Sequence, residues 1–132
     1  MVVAAPQVQK RLTMQVEPDI AADTTVMRSL DWDRDRFDIE FGLQNGTTYN
    51  SFLIRGDKIA LVDTSHAKFR ELYLDILKGQ IDPTTIDYLV ISHTDPAPSG
   101  LVRDVLALAQ QAIVVGPNGA PAFLYELVAH PF

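Results

Sequence analysis

One short stretch concentrates the residue types that bind metals or move protons: Ser92-His93-Thr94-Asp95-Pro96-Ala97-Pro98-Ser99-Gly100. An imidazole and a carboxylate two positions apart, after a run of strand-like aliphatics, supply one nitrogen and one oxygen donor, as many metal sites begin. The next positions where donors would be sought hold Ala97 and Pro98, whose side chains have no lone pair to give. Two readings of the pair stand side by side. In the chemical one, His93 and Asp95 are metal ligands; in the structural one, His93 is satisfied by backbone and Asp95 makes a turn ahead of Pro96. Ser99 fits as the cap of a following helix, which accounts for it without chemistry. Asp63, closing a hydrophobic strand, reads as a turn residue or as support for a neighbouring site. His66 and His130 stand alone beside helical patterns and read as surface or capping residues. The charge run from Asp31 to Asp38, DWDRDRFD, reads as a solvated edge with Trp32 covering the core.

Composition narrows the chemistry. The chain has no cysteine, which excludes disulfides, thiolate zinc sites and iron–sulfur clusters within these residues. Any metal must then be held by imidazole and carboxylate, which favours non-haem iron, manganese or an imidazole-rich zinc site. The net charge of -6 offers no basic footprint for a phosphate backbone or an anionic membrane surface, so neither is an expected partner. With 132 residues, 47% hydrophobic and 21% charged, the chain has the make-up of a globular domain with a core of its own. The opening MVVAAPQVQKRLTM puts its basic pair after the apolar residues, the reverse of a secretory signal, and no apolar run approaches the roughly 18 residues of a membrane span. A cytoplasmic location is expected.

The elements that must position SHTDPAPSG follow from periodicity. Residues 1–22 show no sustained pattern and read as a flexible leader, with structure beginning near Thr24. Phe37, Ile39, Phe41 and Leu43 alternate with polar or small residues, the period-two mark of a half-buried strand over 37–43. Asn45-Gly46 and Gly56-Asp57 are hairpin signals that bracket a strand over 49–55, which returns over 58–64. The period then changes. Phe69, Leu72, Tyr73, Ile76 and Leu77 predict a helix over 66–78, with Gly79 as its stop. Residues 88–91 and 113–115 are continuous aliphatic strands, and 101–109 and 120–129 are further helices. The order is an antiparallel meander followed by α-β-α-β-α, an α/β layered architecture. Right-handed crossovers place successive helices on one side, which leaves the other sheet face without its cover.

At this point the chain resembles a known family. RSLDWDRDRFDIEFGLQNGTTYNSFLIRG, ALVDTSHAKF, DYLVISHTDPAPSGLV and FLYELVAHPF are similar to the start of the cyanobacterial flavodiiron proteins, also called diflavin or A-type flavoproteins. The resemblance implies a metallo-β-lactamase-like αββα sandwich, of which residues 23–132 make the first half. It implies further domains beyond this chain: the second half, a flavodoxin-like FMN domain and a flavin reductase domain. Together these carry electrons from NADH or NADPH through flavin to a diiron centre that reduces dioxygen to water. The family's first iron motif is His-x-Glu-x-Asp-His. On it, His93 matches the first ligand, Asp95 stands for the glutamate, Ala97 replaces the aspartate and Pro98 the second histidine. His93 and Asp95 are then the residual positions of a degenerate diiron site. The resemblance also implies a second flavodiiron subunit as partner, head to tail, because in the family the flavin of one subunit faces the metal site of the other.

Two other readings belong beside this one. The chain could be a non-catalytic structural or regulatory half-domain from a truncated gene. It could also be a zinc hydrolase of the metallo-β-lactamase type, but that chemistry needs His-x-His-x-Asp-His, and the loop lacks the second and third histidines as well as the aspartate.

Overall fold

A computed structural model describes residues 2–4, 12–32, 36–38, 41–42, 47–93 and 99–118, with side chains described at 12–32, 47–93 and 99–118. Its frame is one seven-stranded sheet in the order β1-β2-β3-β6-β7-β8-β9. The strands are β1 (Val2–Ala4), β2 (Leu12–Ala21), β3 (Thr24–Asp31), β6 (Thr47–Arg55), β7 (Ile59–Val62), β8 (Tyr88–Val90) and β9 (Ile113–Val115). From β1 to β7 every pairing is antiparallel; β7, β8 and β9 run parallel. The parallel part needs crossovers, and helices α1 (Arg70–Gln80) and α2 (Val102–Leu108) supply them. The meander-then-crossover order read from the sequence is the observed one. The helix expected at 120–129 and the turn at Asn45-Gly46 lie outside the described residues.

The expected leader is corrected. β2 is a ten-residue strand paired to β3 from Leu12↔Asp31 to Ala21↔Thr24, and β1 pairs onto its outer edge. Leu12, Met14 and Val16 alternate with Thr13, Gln15 and Glu17, and the three apolar side chains are buried. Three alternating residues before Pro18 carry too little periodicity to stand out, and pairing with β3 makes the strand. The strand expected over 37–43 is corrected as well. It is a separate two-stranded pair, β4 (Arg36–Asp38) with β5 (Phe41–Gly42), in the register Arg36↔Gly42 and Asp38↔Phe41. Folding into two paired arms leaves the alternation of residue types in the sequence unchanged, so period two does not distinguish the pair from one strand.

The core lies on one face of the sheet. Leu53, Leu61 and Leu89 are register partners across β6, β7 and β8, all fully buried, and they pack with Phe69, Tyr73 and Leu77 before and in α1 and with Val102 and Val105 of α2. Burying each such side chain is worth about 1.5–3 kcal/mol, so this row and the two helices specify each other. The opposite face carries the registers Ile54↔Ala60, Ala60↔Tyr88 and Tyr88↔Ile113, ending in Ile54 at 40% and Ile113 at 60% exposure. Both described helices pack on the core face, as the crossover rule requires.

Helix α1 departs from expectation at both ends. It is led in by a 3₁₀ turn (Ala67–Phe69), which His66 caps by accepting the Lys68 N–H on Nδ1 at 3.2 Å. The capping role read for His66 is the observed one. Gly79 is not the stop: the helix runs through it to Gln80 and ends where Ile81 turns extended, its N–H still bonded to the Leu77 carbonyl at 3.0 Å. Arg55 then anchors this end, donating to the Gln80 carbonyl at 3.1 Å and to Thr25 Oγ1 at 2.9 Å.

Candidate functional site

The two loops that leave the parallel strands β7 and β8 lie side by side at the carboxyl edge of the sheet, where sites gather in such folds. Asp63 opens the first. Its φ of 61° is left-handed, a conformation aspartate tolerates better than most residues at a cost of about 1 kcal/mol. Its N–H donates to the Val90 carbonyl at 2.7 Å, which ties it to β8. Its carboxylate reaches into the second loop and accepts twice from Ser92, from the N–H at 2.8 Å and from Oγ–H at 2.6 Å. Asp63 is therefore both turn residue and support. The turn reading is the observed one, and the sequence signal was an acid directly after a buried aliphatic strand.

His93 follows this clamp at once and is exposed. Asp95, Ala97 and Pro98, on which the rest of the expected motif falls, lie outside the described residues. Among the described residues no group of three or more His, Asp or Glu is placed to hold a metal.

The start of the next helix is also corrected. Ser99 is buried, but α2 begins after Leu101 without a side-chain cap; the Leu101 N–H is accepted by Thr64 Oγ1 at 3.2 Å. Thr64 belongs to the neighbouring loop, so the two loops are joined at Leu101 as well as at Ser92.

A second polar cluster lies near Asp63, and sequence reasoning missed it. Asp31, expected on a solvated edge, is fully buried at the end of β3, with its Oδ2 accepting from Tyr49 Oη at 2.7 Å and from Lys68 Nζ at 2.6 Å. Tyr49 also stacks on His66, ring centroids 5.7 Å apart. Trp32, expected over the core, is 42% exposed and donates Nε1–H to Thr13 Oγ1 at 3.2 Å. Nothing in a charge run says which acid is buried; the partner Lys68 is far away in sequence. This cluster moors the 63–69 loop against β3 and β6.

Comparison with known proteins decides the family. Over its whole length the chain is 64% identical to diflavin flavoprotein A 3 of a Nostoc strain, of which it covers 23%. It belongs with the N-terminal fifth of the cyanobacterial diflavin flavoproteins. In structure it is similar to the metal-soaked Flv1 flavodiiron core of Synechocystis, with a TM-score of 0.79 and 41% identity over 88% of this chain and 28% of that one. Rubredoxin oxygen:oxidoreductase of Desulfovibrio gigas matches at a TM-score of 0.76 and 25% identity, over 89% of this chain and 29% of its own. No protein-family model matches. The chain thus spans about a fifth of the length of its curated relatives, and its layered α/β fold is that of the flavodiiron metallo-β-lactamase-like core. Among the described residues no helix is long and apolar enough to cross a membrane.

Proposed function

We propose that this chain is the opening part of a flavodiiron NAD(P)H:oxygen oxidoreductase subunit whose own iron loop has lost donors. The observation that carries the reading is Ala97 and Pro98 in the loop after His93, in a chain 64% identical to a diflavin flavoprotein. The fold supports it: the loop leaves β8 beside the Asp63 clamp, and the flavodiiron cores share this arrangement of strands and helices. In this reading FMN is bound by parts of the protein beyond these residues, and a second flavodiiron subunit, head to tail, supplies the complete iron site. The Asp63 and Thr64 contacts then serve to hold the loop in shape at the interface between subunits. Cytoplasmic location follows from the same reading.

The test uses a subunit of the relatives' full length with this chain at its N-terminus. NAD(P)H should reduce its bound flavin, while oxygen uptake should appear only after a subunit with a complete ligand set is added. Oxygen uptake by the subunit alone, or a subunit that takes up no flavin, contradicts the proposal; the second result favours the structural half-domain.

A further inference from the structure

Beneath Asp63 lies a chain of hydroxyls that no metal chemistry requires. Ser51, on the helix-facing side of β6, is fully buried and donates Oγ–H to the Asp63 carbonyl at 2.8 Å. The same oxygen lies 2.7 Å from Tyr73 Oη on α1, also fully buried. A serine hydroxyl has one proton. Since Ser51 gives it to Asp63, the Tyr73 hydroxyl must be the donor in the second bond. Burial above all, opposed by the Ser51 bond and helped by the Asp63 charge, pushes the Tyr73 phenol far above its ordinary range, which agrees with its carrying the donated proton. The direction is therefore fixed from end to end: Tyr73 to Ser51, Ser51 to the Asp63 carbonyl, with the Asp63 carboxylate receiving Ser92 on its other side.

We infer that Ser51 and Tyr73 are positioning residues for the His93 loop, acting through the left-handed backbone of Asp63. A strained conformation persists only where its surroundings over-determine it, and here the N–H, the carbonyl and the carboxylate of one residue are each held by a different element. Release of the carbonyl frees Asp63 to rotate toward ordinary angles, which withdraws its carboxylate from the Ser92 N–H. The Tyr73 hydroxyl polarises the Ser51 hydroxyl and strengthens its bond to the Asp63 carbonyl, so its loss is felt at Ser92 through the Asp63 backbone. Helix α1 thereby sets the start of a loop from which it is separated in sequence by β8. The inference deepens the proposed function and rests on it only in taking this loop as the family's iron loop.

The test is amide hydrogen exchange of the full chain, comparing the native protein with Tyr73→Phe and Ser51→Ala. Tyr73→Phe keeps the ring that packs in the core and removes only the hydroxyl. In each variant the Ser92 amide should lose about five- to tenfold in protection relative to the core amides of Leu61 and Leu89, with the His93 resonances displaced. Because both substitutions break one series of bonds, the double variant should lose little more at Ser92 than either alone. If Ser92 stays as protected as the core amides in both variants, or falls only in parallel with them, Asp63 holds the loop unaided and the inference is overturned. No flavin or iron enters the measurement, so that result would leave the oxidoreductase reading standing.

Discussion

At the scale of single residues, burial decides which charges matter. Asp31 is fully buried and held by Lys68 and Tyr49, so Lys68 serves the fold although its own side chain is 36% exposed. Lys68→Met removes a charge-assisted bond from a buried carboxylate and should lower unfolding free energy by about 2 kcal/mol in denaturant titration. A loss below about 0.5 kcal/mol would show the pair to behave like an ordinary surface one. In the loop, Ala97→Asp and Pro98→His each return one donor, and Asp95→Glu returns the longer reach of the family's second ligand. Pro98 also fixes its own φ and biases Ala97 toward extended backbone, so it withholds geometry as well as a ligand. Partial ligand sets do not fix two irons. Single changes should therefore add no iron, and a gain from any one of them alone would contradict the ligand count.

At the scale of elements, helix α1 offers a clean comparison of propensity with need. Gly79 lies inside the last turn, and a Cβ built there meets nothing within 4 Å. Gly79→Ala should therefore stabilise the protein by about 0.5–1 kcal/mol, read as a higher denaturation midpoint with unchanged slope; destabilisation would mean that the glycine has a role in the native state. The same helix shows what the sequence makes legible. Its apolar spacing located Phe69, Tyr73, Ile76 and Leu77, all of which are in the core, because a 3.6-residue period belongs to the element alone. Its stop was misread, because a glycine near a helix end signals termination only where the backbone turns left-handed. β7, β8 and β9 were legible for a similar reason: buried parallel strands are continuous aliphatic runs. β2 was not, since three alternating residues before a proline become a strand only by pairing with β3. The Asp63–Ser92 clamp and the Asp31–Lys68 pair join residues 29 and 37 positions apart, which no local pattern encodes.

At the scale of the molecule, the sheet has one face filled and one open among the described residues. Ile54, Ile113 and Val115 stand exposed on or beside apolar register rows, and apolar patches of more than a few hundred Å² drive association. The 132-residue chain alone should bind ANS or self-associate in sedimentation; a compact monomer that melts sharply and binds no dye would show that the chain closes its own core. The family relation gives this face its context, because the chain spans about a fifth of its curated relatives and shares its fold with the flavodiiron cores. In the proposed function, what the whole subunit does turns on the loop after His93. The most direct measurement is iron per subunit, by elemental analysis after anaerobic ferrous reconstitution, in a subunit of the relatives' full length carrying this chain and in its Asp95→Glu, Ala97→Asp, Pro98→His triple variant. The account predicts well under two irons in the first and a rise toward two in the second. Two irons in the unmodified subunit would contradict it.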